Sequence, residues 1–330
     1  MSGGMRKLIG ALTAFAVQVS ALALVPGFAL AQAYPNKPIH FVVGNPPGGT
    51  TDLMARILAD KLKDKLNQPI IIDTKAGAAS MIALEFVARQ PPDGYTFVVC
   101  SSSIATLYNL NAAATYKPSD FTPIAGIAVA PFLVMVRGDF PVKNLSEFNA
   151  YAKANPGKIN VGAAGSGSFD HLAGTKFALA TNTRMTWIAY KGEAAAVADL
   201  VGGRVDAAFL QWGTSGPHIM AGKIRVLASM SAQRDPNPAL ANIPTAAELG
   251  SPVEAAAWFG LFGPAGVPKD IVDLLSRESM AGLRAADAQE RIRGVNQQPL
   301  ILTPDQLGAL LHKSADDWAV VIKAADLKAQ

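Results

Sequence analysis

Two glycine-rich loops carry the residue types best suited to chemistry in this chain. In the first, Pro46-Pro47-Gly48-Gly49 runs into Thr50-Thr51-Asp52. Glycine lets a backbone approach a ligand closely, and a loop that enters a helix points unpaired N–H groups outward at the positive end of the helix dipole. That volume suits a carboxylate or another oxyanion. The loop holds no Lys, Arg or His. An anion there is held by amides, hydroxyls and water, which favours reversible binding over reaction. The second loop, Ala163-Ala164-Gly165-Ser166-Gly167-Ser168, leads through Phe169-Asp170 into a helix over 171–180. It is analogous to the first in architecture, though too different in sequence to be a repeat. Tyr190-Lys191-Gly192-Glu193 lies between another strand and helix, and Lys191 is the only base in any of these loops. Asp52 and Asp170 each precede an apolar-periodic run, so both are read as helix caps.

Catalytic motifs fail one by one. His40, His171, His218 and His312 are not within ligand spacing of one another or of a cysteine, so no metal site is expected. Ala164 stands where a G-x-S-x-G elbow around Ser166-Gly167-Ser168 needs glycine. Lys158 and Lys223 follow glycines but precede Ile, so neither closes a P-loop. Asp170 stands where the dinucleotide fingerprint begun by Gly165 and Gly167 needs glycine, and its charge would repel a pyrophosphate. His171 beside Ser168 is read as first-turn packing or capping rather than as a base. The chain is therefore expected to bind without a cofactor and without catalysis.

These loops need rigid elements behind them. Ile39, Phe41 and Val43 alternate with Val42, which predicts a strand. Leu53, Ile57, Leu58 and Leu62 recur at helical spacing. Ile70-Ile71-Ile72 predicts a second strand, a helix runs through Ile82, Phe86 and Val87, and 95–100 is a third strand after the Asp93-Gly94 turn. This βαβαβ order predicts a parallel sheet with helices on both faces. The pattern restarts with a strand over 132–136 and a helix over 146–155 capped by Ser146. Further helices are expected over 194–201, 269–285 and 304–325, and strands over 205–210, 224–229 and 258–262. The extended segments 131–136 and 257–262 are the candidates for joining two lobes.

The formal charge of +4 includes Arg6 and Lys7, and the basic residues are scattered, which argues against a nucleic-acid partner. Those two residues precede a largely apolar run over 8–24, broken by Pro26-Gly27. Ala29-Leu30-Ala31 and Ala31-Gln32-Ala33 both fit a small-x-small rule, so the segment is read as an export signal cleaved near Ala31 or Ala33. A membrane anchor is the alternative, weakened by Thr13, Gln18 and Ser20 within the run. No later stretch reaches the ~18 apolar residues that a span needs. Cys100 is the only cysteine, which excludes an intrachain disulfide; it follows Phe97-Val98-Val99 and reads as a buried strand residue. The remaining length of about 300 residues suggests two domains.

Taken in order, several motifs resemble one family. They are Tyr34-Pro35-Asn36-Lys37-Pro38-Ile39, the first glycine loop, Pro92-Asp93-Gly94-Tyr95, Ala152-Lys153-Ala154-Asn155-Pro156-Gly157-Lys158, Tyr190-Lys191-Gly192, Pro244-Thr245 with Glu248, and Gly260-Leu261-Phe262-Gly263-Pro264-Ala265-Gly266. Together they resemble the extracytoplasmic solute receptors of tripartite tricarboxylate transporters, the Bug or TctC-like family. The resemblance implies an α/β, two-lobed periplasmic binding protein of type II, each lobe a mostly parallel sheet flanked by helices. It implies a signal peptide over 1–31, a first lobe over 32–132 and 259–330, and a second over 133–258. A small di-, tri- or aromatic carboxylate would be captured between the lobes by a monomer and passed to membrane permease subunits in the periplasm. The ligand-binding set implied in the first lobe is Pro47, Gly48, Gly49, Thr50, Asp52, Ser102 and Ser103. In the second lobe it is Ser166, Gly167, Ser168, Phe169, Asp170, Tyr190, Lys191 and Phe209. Phe169, Glu193 and Gln211-Trp212 depart from the family's usual residues, so an aromatic acid, or a ligand with an amine to meet Glu193, fits as well as a tricarboxylate. A carboxylate sensor with a membrane partner, or a secreted hydrolase or lyase, are the alternatives in function.

Overall fold

A computed structural model of the chain describes residues 34–324, apart from 112, 166, 167, 191, 236 and 237. The expected export segment and both cleavage positions, Ala31 and Ala33, lie outside the described residues.

The first strand, β1 (Ile39–Val43), is buried on both faces, as its β-branched and aromatic run requires. Helix α1 (Thr50–Leu66) returns the chain to β2 (Ile70–Thr74), and α2 (Met81–Ala88) carries it to β3 (Thr96–Ser101). Asn67, at φ 49°, ends α1 by donating its N–H to the Lys63 carbonyl. Val42 packs with Ala83, Leu84 and Val87 of α2, and on the opposite face Phe41 meets Phe97 edge-on at 6.3 Å. A one-turn helix, α3 (Leu107–Leu110), precedes the long β4 (Phe121–Pro131).

After Phe132 the chain enters a second sheet. The order is β5 (Leu133–Arg137), α4 (Leu145–Ala154), β6 (Asn160–Ala163), α5 (Phe169–Thr181), β7 (Thr186–Ala189), α6 (Glu193–Val201), β8 (Ala207–Leu210), α7 (Trp212–Met220) and β9 (Ile224–Ser229). The chain returns through β10 (Ala256–Pro264). It finishes with α8 (Lys269–Arg284), α9 (Ala286–Gly294), β11 (Gln298–Pro299) and α10 (Pro304–Ala324).

The strand orders are β11-β4-β10-β3-β1-β2 and β7-β6-β8-β5-β9. Both sheets are mixed, yet β1 to β4 run one way in the first sheet and β6 to β9 one way in the second, in line with the expectation of mostly parallel sheets. β1 runs parallel to β2 and β3, and β6 parallel to β7 and β8. β10 is antiparallel to β3 and β4, and β5 is antiparallel to β8 and β9. The physical reason lies in the connection. The chain leaves the first sheet along β4 and comes back along its neighbour β10, so the two must run in opposite directions. At the crossover the Phe132 N–H donates to the Ala255 carbonyl at 3.0 Å, and the Met230 N–H donates to the Phe132 carbonyl at 2.8 Å.

The last helix serves both cores. Leu307, Leu311 and Ala315 of α10 pack with Trp258 and Phe262, while Trp318, Val321 and Ile322 pack with Phe148, Phe177 and Phe209 beneath the second sheet.

Local details also differ from the sequence reading. Helix α4 starts at Leu145, and its cap is Asn144, not Ser146: the Asn144 side chain accepts the Glu147 N–H at 2.9 Å while Glu147 reaches back to the Lys143 N–H at 2.7 Å. Strand β4, which contains Pro123, Gly126 and Pro131, and helix α7, which contains Gly213, Gly216 and Pro217, were not expected from the sequence. Among the described residues no helix is long and apolar enough to cross a membrane.

Candidate functional site

The first glycine loop is pinned from both ends. A Cβ at Gly44 would fall 2.4 Å from the Ser80 Cβ, so only glycine lets β1 exit this close to its neighbour, and the Ser80 hydroxyl donates to the Asn45 side chain at 3.1 Å. At the helix end Asp52, only 1 % exposed, accepts the Gly48 N–H at 2.9 Å and a fork from Arg56 at 2.8 and 3.0 Å. The Arg56 hydrogen bonds hold the Asp52 carboxyl below its usual range, against the opposing effect of burial.

This geometry changes which amides face a ligand. The Gly48 N–H is taken by Asp52, and the Gly49 N–H donates to the Pro46 carbonyl at 3.2 Å. Leu53 is the first residue to bond back into the helix, to the Gly49 carbonyl at 3.0 Å. The open donors are therefore the first-turn amides of Thr50, Thr51 and Asp52, which have no acceptor within a helix. Asp52 caps from the third helical position, as the acidic member of a capping box does.

The second loop is built the same way. The Asp170 carboxylate, in the first turn of α5, accepts the Ala164 N–H, and the Ser168 hydroxyl donates to the Gly165 carbonyl at 2.6 Å. Phe169 stands beside it, edge-on to Trp318 of α10 at 6.2 Å.

The two loops meet across a cleft of about 440 Å³. Pro47, Gly49, Thr50 and Thr51 line one side with Ser101 from the end of β3; Phe169, Asp170, Glu193 and Gln211 line the other, and Phe132 and Phe259 at the crossover add apolar surface. Burial raises the Glu193 carboxyl to about 7, the Asp170 charge adds to this, and a hydrogen bond with the Thr214 side chain opposes it. The Gln211 side-chain amide donates to the Ala130 carbonyl at 3.1 Å, tying the end of β8 to β4. A larger hollow of about 550 Å³, lined among others by Lys176, Arg234, Trp258 and Lys313, contains none of the glycine-loop residues.

Of the residues expected from the sequence, Pro47, Gly49, Thr50, Phe169 and Asp170 come together in this cleft. Asp52 supports it from behind through Gly48. Ser102 and Ser103 are buried in the turn after β3, where Ser103 bonds to Ser101; Ser101 is the one that reaches the cleft. Ser168 is committed within its own loop. The Tyr190 hydroxyl donates to Asp199 at 2.8 Å, away from the cleft. Phe209 is a core residue, wholly buried between Phe177 at 5.2 Å and Trp187 at 6.1 Å. His171 lies against Trp187 at 4.7 Å, and burial lowers its pKa. Ser166, Gly167 and Lys191 lie outside the described residues. Asn45, Thr51, Ser101 and Gln211 also line the cleft; none is in the ligand-binding set read from the sequence, although Gln211 was noted there as a departure from the family's residues. One signal could have found three of them: Asn45, Ser101 and Gln211 each sit at the carboxyl end of a strand, where open α/β sheets place ligands.

Comparison with known proteins agrees with this architecture. A family model described as "Tripartite tricarboxylate transporter family receptor" matches residues 54–327. Protein BugT of Bordetella pertussis is 34% identical over 303 residues, which cover 90% of this chain and 92% of BugT. A TctC solute-binding protein from Polaromonas superposes with a TM-score of 0.82 at 27% identity, over 88% of this chain and 99% of that one. An R. palustris protein solved with adipate superposes with a TM-score of 0.72 at 33% identity, over 90% of this chain and 100% of its own.

Proposed function

This chain belongs to the tripartite tricarboxylate transporter receptor family, and from that premise we propose that its cleft captures a small carboxylate in the periplasm for delivery to membrane permease subunits. The observation that carries this reading is the set of open first-turn amides of α1, facing a cleft whose other side comes from the second sheet. A carboxylate placed there accepts from Thr50 and Thr51 N–H groups, with the Ser101 hydroxyl beside them. The remainder of the ligand meets Phe169 and Gln211. A ligand that touches both sides stabilises a closed arrangement over an open one. The adipate bound by the R. palustris relative supports a small carboxylate here, and we take a di-, tri- or aromatic carboxylate as the class.

Receptor function is favoured over hydrolysis because Ser168 donates to its own loop and His171 lies against Trp187, so neither is set as nucleophile or base. The lobes are taken as 32–132 with 259–330, and 133–258, moving about the crossover at Phe132 and Ala255. Residues 1–31 are taken as the export signal, and the receptor as a monomer.

Thermal-shift screening against mono-, di- and aromatic carboxylates tests the reading, with each hit followed in Thr50→Pro. Proline is tolerated at the first helical position, and Gly49 already has the extended backbone that a following proline needs (φ −71°, ψ 161°). The variant should fold yet lose one amide donor to a charged acceptor, about 1.5–3 kcal/mol or roughly 10- to 150-fold in affinity. Silence across the panel, or unchanged affinity in Thr50→Pro, would sink the carboxylate reading.

A further inference from the structure

The two ends of the cleft have opposite hydrogen-bonding character. The α1 end offers N–H donors. At the other end Glu193, the first residue of α6, lines the cleft with its Oε1 buried and without a hydrogen-bond partner. Asp170 lines the same end and is 7 % exposed, with Ala164 as its amide donor. Gln211 donates one of its two amide N–H groups to Ala130, and its oxygen is a further acceptor. No Lys or Arg is among the described residues that line the cleft, and Lys191 lies outside the described residues. A buried carboxylate oxygen with nothing to accept from is costly. The group that relieves it is a donor, and a positively charged donor relieves it best.

We propose that the ligand is a carboxylate that also carries a protonated amine at its far end, and that Glu193 selects it over a diacid of the same length. This rests on the receptor reading above, since it takes the α1 amides as the carboxylate anchor. A zwitterion complements donors at one end and acceptors at the other. A diacid sets its second carboxylate against Asp170 and Glu193. The raised pKa of Glu193 agrees with an unmet charge, and an ammonium beside it restores the ionised form.

Calorimetry with matched pairs tests this: γ-aminobutyrate against succinate, δ-aminovalerate against glutarate, ε-aminocaproate against adipate, and para-(aminomethyl)benzoate against terephthalate. Wild type should bind the amino member of at least one pair about tenfold or more tightly than its diacid, the scale of a charge-assisted hydrogen bond. Glu193→Gln keeps the shape and removes the charge, and should shift preference toward the diacid by a similar factor. Preference for diacids in wild type overturns the inference and leaves the receptor reading standing. If Glu193→Gln then reduces that preference, a protonated Glu193 donates to the second carboxylate; if Lys191→Ala does, the lysine meets it. No binding by either series overturns this inference together with the carboxylate anchor.

Discussion

Replacing Asp52 by alanine should destabilise the protein measurably. The side chain makes three hydrogen bonds: one from the Gly48 N–H at 2.9 Å and two from Arg56 at 2.8 and 3.0 Å. Arg56 is half-exposed, so solvent screens that pair and it adds little. The amide bond to a buried carboxylate contributes about 1.5 kcal/mol, and a negative charge in the first helical turn adds about 0.3–1 kcal/mol. The sum is roughly 2–2.5 kcal/mol, or a fall in Tm of roughly 4–10 °C for a chain of this size. Arg56→Ala removes only the exposed pair and should lower Tm much less than Asp52→Ala does. The effect should depend on pH in one direction. Asp52 has a folded pKa below its ordinary value of 3.8, so its stabilisation is fully present above that value and is lost as pH falls through the lower folded pKa. Melting wild type, Asp52→Ala and Arg56→Ala by circular dichroism at neutral pH and below pH 3.8 reads both effects. An Asp52→Ala variant that melts with wild type at neutral pH, or a gap that widens in acid, would refute the reasoning.

Two further outcomes are expected. In Gly174→Ala the new Cβ falls 2.2 Å from Trp187 Cη2 and 2.5 Å from Phe209 Cδ2, so overpacking of about 1–3 kcal/mol should outweigh the helix propensity gained, and a Tm at or above wild type would count against it. Glu193 keeps a proton in the folded state between 4.5 and about 7 that the unfolded chain releases, so the empty protein loses stability as pH rises through that window. Glu193→Gln without ligand should therefore melt above wild type at pH beyond about 7 and level with it below 4.5.

What was legible in the sequence was local. The alternation of Ile39, Phe41 and Val43 and the helical spacing of Leu53 to Leu62 each depend on a few neighbours, and β1 and α1 follow them. The glycine loop was legible as an anion site, but not its open amides, because Asp52 reaches Gly48 only once the loop has its shape. Pairing direction was hidden because β4 and β10 are far apart in the chain. Gly126, inside β4, sits where a Cβ would come 2.8 Å from the Leu300 carbonyl, so it is required by packing. Strand β8 is buried throughout, so alternation could not tell that Phe209 faces the core. Tyr190 was read as a loop residue of the ligand-binding set, and its partner Asp199 lies a helix turn and more away, on α6.

The placement of α10 also has a consequence for how the chain reaches its native state. Leu307, Leu311 and Ala315 complete one core, and Trp318, Val321 and Ile322 complete the other. Both sheets close over residues that are synthesised after all of their strands. A nascent chain that has already produced β1 to β11 still has two unfinished hydrophobic faces, which are open to aggregation until residues 304–324 arrive. Contacts of such long sequence separation make for slow folding. A holdase that shields apolar surface would find two binding faces on this chain, and both would vanish in a single docking event when α10 settles.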